Sequence, residues 1–459
     1  MGASGWSGAN LPRAAVALRR RLIERARTTP ERAVRGGHPP PLLRRLRTDR
    51  RRPRTASLAC SDRPLGSALG SAREDRRGTG PGQALIEALD LERRTTPIEL
   101  LWDLVFVFAV TRVTALLSAD LSWAGLGRAM LALALVWWAW SAFAWVTNAH
   151  DPDSGLFRLT LLLATGLIFI AGLALPRAFG AEGTLFAVTY ALVRLLHLAL
   201  YADASRRGTA SMTAIAGFAV TVAIGMLLLI IGSFTGGSWR PALWLGAAAI
   251  DYAGPAWLTR ARLRGLQRVA VAHFAERYGL FIIICLGESI VAIGIGASGS
   301  ELTAASITAV AFAMLTIVAF WWVYFDRAAE LAEARLRTHT DPVLAAADGY
   351  SYLHLLLVAG IIIFAVGVKH AVAHVEQPMP AGARLALFGG AALYLLGHVA
   401  FQARMLGTVP YAQLALSALC LVVFAVSGSI AAWAVAGLLA LALLTLLAGE
   451  ARLGDAAER

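Results

Sequence analysis

A chain of 459 residues that is 58% apolar and only 15% charged, with a mean hydropathy of +0.63, lies outside the composition of an ordinary water-soluble domain. It reads as an all-α polytopic membrane protein. The charge of +13 is uneven: residues 1–94 hold 21 arginines, no lysine and nine acids, or +12 of that total, so the apolar body is almost neutral.

Residues 1–94 carry Pro12, Pro30, Pro39, Pro40, Pro41, Pro53, Pro64 and Pro81, with Trp6 as their one aromatic side chain. Such a segment cannot bury enough apolar surface to fold alone, and the expectation is a disordered, arginine-rich cytoplasmic tail. Nucleic acid is not an expected partner, because stacking needs aromatic residues among the charges. Anionic lipid headgroups are. A natural start downstream of part of this tail is a further reading. No charged n-region is followed by a short apolar core and cleavage site, so the first span serves as an uncleaved anchor. Cys60, Cys285 and Cys420 give neither a disulfide framework nor a metal spacing, and no cofactor is implied.

From Leu101 the chain predicts about twelve transmembrane helices, at 101–118, 125–147, 156–176, 183–203, 210–233, 241–258, 277–297, 303–325, 344–368, 383–403, 410–427 and 430–449. Val409-Pro410 and Ser427-Gly428-Ser429 bracket two short spans that a re-entrant hairpin would also explain. Loops on the side of the tail carry eleven arginines, Arg158 to Arg404, against five basic residues opposite. The positive-inside rule then puts both termini in the cytoplasm.

In span 1, Glu99 and Asp103 fall on one helical face a turn apart. Thr95 or Thr96 as cap and Pro97 in the first turn give Glu99 a structural reading; Asp103, deeper, leans toward function. Arg112 lies inside the same span and needs a partner. Span 4 holds Arg194 and His197, and His398 takes the matching place in span 10, which suggests a proton relay beside the plainer reading of two hydrogen-bonded core histidines. Asp251 precedes Gly254-Pro255, where a helix break would free carbonyls to help a carboxylate hold a cation, or would simply end the helix. Residues 259–276 read as an amphipathic cytoplasmic linker.

Span 7 contains Glu288, next to Ser289 and flanked by Gly287, Gly294 and Gly296, which suggest close helix packing. A carboxylate at mid-membrane costs roughly 2.5–3.5 kcal/mol and should face a protein interior with a partner. The natural candidate is Arg112. A static Arg112–Glu288 pair would only fix packing, whereas a responsive one would let Glu288 exchange a proton or cation.

Corresponding features recur in order at offsets of 177 to 201 residues: Glu99 with Glu276, His150-Asp151-Pro152 with His339-Thr340-Asp341-Pro342, Leu161 with Leu355, and His197 with His398. They indicate two parallel six-helix repeats, 95–258 and 277–450, before a short cytoplasmic C-terminus, 451–459. Parallel repeats occur in secondary transporters with sites between the halves. The Asp-Pro pairs read as turn and cap chemistry. Gly-x-Ser-x-Gly, phosphate-loop and HExxH patterns are absent from the sequence, so a non-enzyme is expected.

Thr96-Pro-Ile-Glu-Leu-Leu-Trp-Asp103 and the segment His273-Phe-Ala-Glu-Arg-Tyr278 through Leu286-Gly-Glu-Ser-Ile290 resemble the bacterial low-temperature-requirement A (LtrA) membrane protein family, over about residues 95–450. The usual aromatic-Phe-Asp of the first motif is Leu-Trp-Asp here, with Asp103 in place. Members take their name from a growth phenotype in the cold. The resemblance implies membrane location and importance for Glu99, Asp103, Glu276, Glu288 and Ser289, without a substrate. The expectation is a proton- or cation-coupled secondary transporter of an unknown small solute or ion in the bacterial inner membrane. The alternative is a non-transporting sensor or scaffold contributing to cold or stress adaptation.

Overall fold

In the computed structural model the described residues are 94–458, apart from 151–152, 265 and 299–300. The arginine-rich tail and the Asp151-Pro152 pair lie outside them. Helix α1, Pro97–Ala119, starts where a cap and a proline coincide: the Thr96 amide and hydroxyl both donate to Glu99 Oε2, at 2.9 and 2.7 Å. There follow α2 (Trp123–Asn148), α3 (Gly155–Ala174), α4 (Gly183–Arg206), α5 (Met212–Ser233), α6 (Trp239–Ala253), α7 (Val271–Ala297), α8 (Ala304–Phe325), α9 (His354–Ala373), α10 (Ala381–Leu406), α11 (Tyr411–Val426) and α12 (Ala432–Glu458). No strand forms among the described residues beyond two isolated bridges.

Ten helical stretches are long and apolar enough to cross a membrane, rather than the twelve expected. The shortfall falls on α6 and α11, of 15 and 16 residues. Fifteen residues reach about 22 Å, less than the roughly 30 Å of hydrocarbon, and the π-helical turn Gly254–Leu258 lengthens α6 by five residues, as the return of the chain to a parallel α7 requires. Gly254 and Pro255 stop α6 because proline lacks the next amide donor, and the chain relaxes into a π-helical turn, Gly254–Leu258. Pro410 and Ser427 bound α11.

The expected amphipathic linker over 259–276 is not one helix. Arg260–Leu263 is a single turn, and α7 already begins at Val271. Between them the chain is pinned to the end of α2, where Gln267 Nε2 donates to the Trp145 carbonyl and the Ala270 amide to Asn148 Oδ1, each at 2.8 Å.

Helices α2 and α9 are the most enclosed, α2 through Trp137, Trp138, Trp140 and Trp145. Outer faces expose large apolar side chains such as Leu159 and Leu163 on α3, Leu227 on α5 and Val318 on α8, as lipid contact requires. The molecule is a multi-pass membrane protein. Helix α1 packs on α2 and α3, α3 on α4, and α4 on α5; likewise α7 packs on α8 and α9, α9 on α10, and α10 on α11. Helices α1 and α7 meet directly and run parallel, since their side-chain bonds keep a nearly constant sequence offset of 174, 174 and 177 along their length.

Candidate functional site

Where α1 meets α7 near their first turns, the i,i+4 pair Glu99 and Asp103 faces the i,i+4 pair His273 and Arg277, all four buried. Arg277 Nη2 donates to Asp103 Oδ1, and its Nη1 lies 3.8 Å from Glu99 Oε1. His273 Nε2 is 3.0 Å from that same Glu99 oxygen. From α2, Trp140 donates to Asp103 Oδ1 at 2.7 Å, and Thr147 accepts from Arg277 at 3.1 Å. Arg277 Nε and Asp103 Oδ2 have no hydrogen-bond partner among the described residues, but the contacts of Arg277 with two carboxylates and a hydroxyl make this cluster a brace between α1, α2 and α7.

A second polar chain starts one residue along. The Tyr278 hydroxyl lies 2.8 Å from Ser141 Oγ and 2.9 Å from Ser351 Oγ, and Trp145 donates to Ser351 Oγ at 2.8 Å. Ser351 sits in a π-helical segment, Ala347–Leu353, that leads into α9. Its wider turn shifts the register of side chains entering the interior.

That chain opens on a partly open cavity of about 60 Å³ between the two groups of helices. Its walls come from α2, α4, α5, α6 and the π segment before α9. Arg194 and Asp251 form a buried ion pair there at 2.9 Å, and the Asp251 carboxylate also has the Trp138 indole alongside. Arg194, His197 and Tyr201 share one face of α4 and are at most 3% exposed. Arg194 Nε and Nη1, His197 Nδ1 and Tyr201 Oη are all without a hydrogen-bond partner among the described residues. Burying so many unsatisfied polar atoms is costly unless they serve a ligand or water. Both π-helical segments border the space, through Pro255 and through Ala347, Ser351 and Tyr352. An open hollow of about 280 Å³ beside the α1–α2 turn is lined by Arg128 and Arg177, but their charges are met by Asp120 and Glu182.

Glu288 lies elsewhere, further along the α1–α7 seam. The expected Arg112–Glu288 pair does not form: Arg112 sits over the Phe108 ring at 5.9 Å, and among the described residues no ion pair joins it to Glu288. Adjacent residues on a helix point about 100° apart, so the register that brings Thr111 to α7 turns Arg112 away. The partner is Thr111, whose hydroxyl is within hydrogen-bond reach of both Glu288 Oε2 and the Val107 carbonyl. Thr114 stands alongside, and Lys369 is the nearest cationic influence. A hydroxyl has one proton. With Glu288 ionised, Thr111 donates to it; with Glu288 protonated, the acid donates to Thr111, which turns its own proton to Val107.

The remaining candidates scatter. Glu276 is exposed and accepts from the Thr95 amide at 3.1 Å. Ser289 is buried with its Oγ unpartnered. His398 is 2.7 Å from Gln413 Oε1 on α11, and among the described residues it shares no partner with His197, so the two histidines are not brought together. Asp341 does cap a turn, accepting from the Leu344 amide at 3.1 Å. Gly296 meets the Lys369 carbonyl closely, whereas Gly287 and Gly294 have nothing within 4 Å, so close packing explains only one of the three. Sequence reading passed over Arg277, His273, Tyr201 and Ser351. For Arg277 a signal existed, since it stands four residues after His273 as Asp103 does after Glu99.

The profile of the family described as bacterial low temperature requirement A protein (LtrA) matches residues 94–448. A protein of Rhizobium meliloti (strain 1021) named "Uncharacterized protein RA0937" is 32% identical over 321 residues, covering 69% of this chain and 78% of the relative. No solved structure matches the chain.

Proposed function

The chain belongs to the bacterial low temperature requirement A family, and we propose that it is a proton- or cation-coupled secondary transporter whose solute site is the cavity at Arg194 and Asp251. The observation that carries this reading is a small, partly open space, walled by both helix groups, whose lining residues Arg194, His197 and Tyr201 carry buried polar atoms with no hydrogen-bond partner among the described residues. Three such side chains on one face of one helix, at a space that both helix groups wall, suit a site that fills and empties. The recurring order of helix contacts supports two parallel halves able to rock about that space. The arginine distribution supports a cytoplasmic-membrane protein with both termini inside.

Glu288 is the proposed coupling group. Its threonine partners accommodate either protonation state by turning one hydroxyl, so a proton can arrive and leave without a helix moving. The Glu99–Asp103–His273–Arg277 cluster is assigned to bracing α1 and α7 against α2.

Reconstitution into proteoliposomes under an imposed pH gradient, with an internal pH dye and panels of small anionic, cationic and neutral solutes, tests the reading. Wild-type protein is expected to show solute-dependent proton flux. Glu288→Gln, which mimics the protonated acid, is expected to fold and lose it. Unchanged flux in that variant would sink the coupling role, and no solute-dependent flux in wild type would sink transport.

A further inference from the structure

The chemistry of the cavity also specifies its ligand. Arg194 spends Nη2 on Asp251 Oδ1, leaving Nε and Nη1, which carry three of its five N–H donors, unengaged. The Tyr201 hydroxyl adds a fourth unengaged donor from the same face of α4. Donors in excess, on a guanidinium, call for an oxyanion.

Size and walls narrow the class. About 60 Å³ holds roughly four to six water-sized groups, at about 10–15 Å³ each. Trp138, Trp145, Phe218, Val222 and Tyr352 supply aromatic and aliphatic surface opposite the donors. A strongly hydrated inorganic anion would lose its water against such walls without compensation, whereas a short alkyl group is at home there.

Charge completes the argument. The groups facing the site are Arg194, His197 and Tyr201 from α4, Asp251 from α6, and Tyr352 from the π segment; Tyr252 stacks on the wall residue Trp138, and Tyr190 lies one turn before Arg194 on α4. The cavity walls from α2 and α5 supply no titratable group. Arg194 and Asp251 cancel. An added anion therefore leaves one uncompensated negative charge in a low-dielectric interior unless a proton comes with it.

We infer that the cavity binds a small monocarboxylate of two to four carbons, taken up together with one proton. The carboxylate engages Arg194 and Tyr201, its alkyl end rests on Trp138 and Trp145, and the proton settles within the Arg194–Asp251–His197 group. This assignment rests on the transport reading only for its location, and binding can be measured without any membrane.

The experiment is scintillation-proximity binding of radiolabelled propionate to the purified full chain in detergent. Saturable binding is expected, displaced by acetate but not by nitrate or 1-propanol, and weakening by up to about tenfold for each unit rise in pH, as one linked proton requires. Arg194→Gln should lose at least tenfold in affinity. Tyr201→Phe, which keeps the ring, should lose severalfold and carries the test if the arginine variant does not fold. Binding without saturation, equal displacement by nitrate, or wild-type affinity in either folded variant overturns the assignment, and a flat pH slope overturns the proton's part. Intact binding without flux in proteoliposomes would instead remove the transport reading and leave this one standing.

Discussion

Arg277 holds more of the interior together than any residue the sequence made conspicuous. Buried between Asp103, Glu99 and Thr147, it cannot be removed without taking from Asp103 its cationic partner. Arg277→Met is expected to cost about 3–5 kcal/mol of stability, read as a lowered melting temperature in detergent. Its neighbour Glu276 is exposed, and Glu276→Gln should stay within about 0.5 kcal/mol. Equal effects of the two would contradict the brace. The sequence made the acidic half of this cluster legible, because two carboxylates at i,i+4 in an apolar span are conspicuous. The basic half hid behind Glu276, since a charge next to another charge at a helix start reads as solvated surface. The partner of Glu288 was mistaken for a related reason: opposite charge suggested Arg112, while helix rotation selected Thr111.

At the scale of elements, small residues decide which helices can touch. Helix α9 lies against α10 so closely that a Cβ on Gly390 would stand 2.3 Å from the Phe364 amide nitrogen, and one on Gly367 2.3 Å from that of Leu387. Gly390→Val should therefore cost about 1–3 kcal/mol or more in thermal stability, while Gly287→Ala, with open space around it, should be neutral or gain up to about 1 kcal/mol. A stable Gly390→Val protein would contradict the packing. Helix positions were legible from apolar runs, since hydrocarbon thickness sets their length. The ends of α6 and α11 were legible as punctuation at Gly254-Pro255, Val409-Pro410 and Ser427-Gly428-Ser429, but hydropathy, blind to the lost amide of Pro255, carried the predicted sixth span on to 258. Of the two π-helical turns that border the cavity, the one at Gly254-Pro255 left a trace in the sequence and the one over Ala347–Leu353 did not; the Tyr352 hydroxyl, donating to the Tyr252 carbonyl at 2.8 Å, ties the second to the end of α6.

For the whole molecule, two groups of helices with α1 and α7 parallel at their seam place the cavity where the groups meet, and the function proposed for it depends on orientation and motion. The orientation proposed from the arginine distribution predicts that a fluorescent protein fused after Arg459 matures in the cytoplasm, and activity of an alkaline phosphatase fusion at the same point would contradict it. The sequence located the seam through Glu99, Asp103 and Glu288, but the cavity could not be read from it, because Arg194, Asp251 and Ser351 come from three distant segments that only packing assembles. The most direct test of the central claim is accessibility of that cavity from both sides of the membrane. Ala142, on its wall, is replaced by cysteine in a protein whose Cys60, Cys285 and Cys420 are changed to serine or alanine, and membrane-impermeant thiol reagents are applied to oriented vesicles from each face. A transporter predicts labelling from both faces, in proportions that shift with the pH gradient; labelling from neither face, under every gradient, would contradict it.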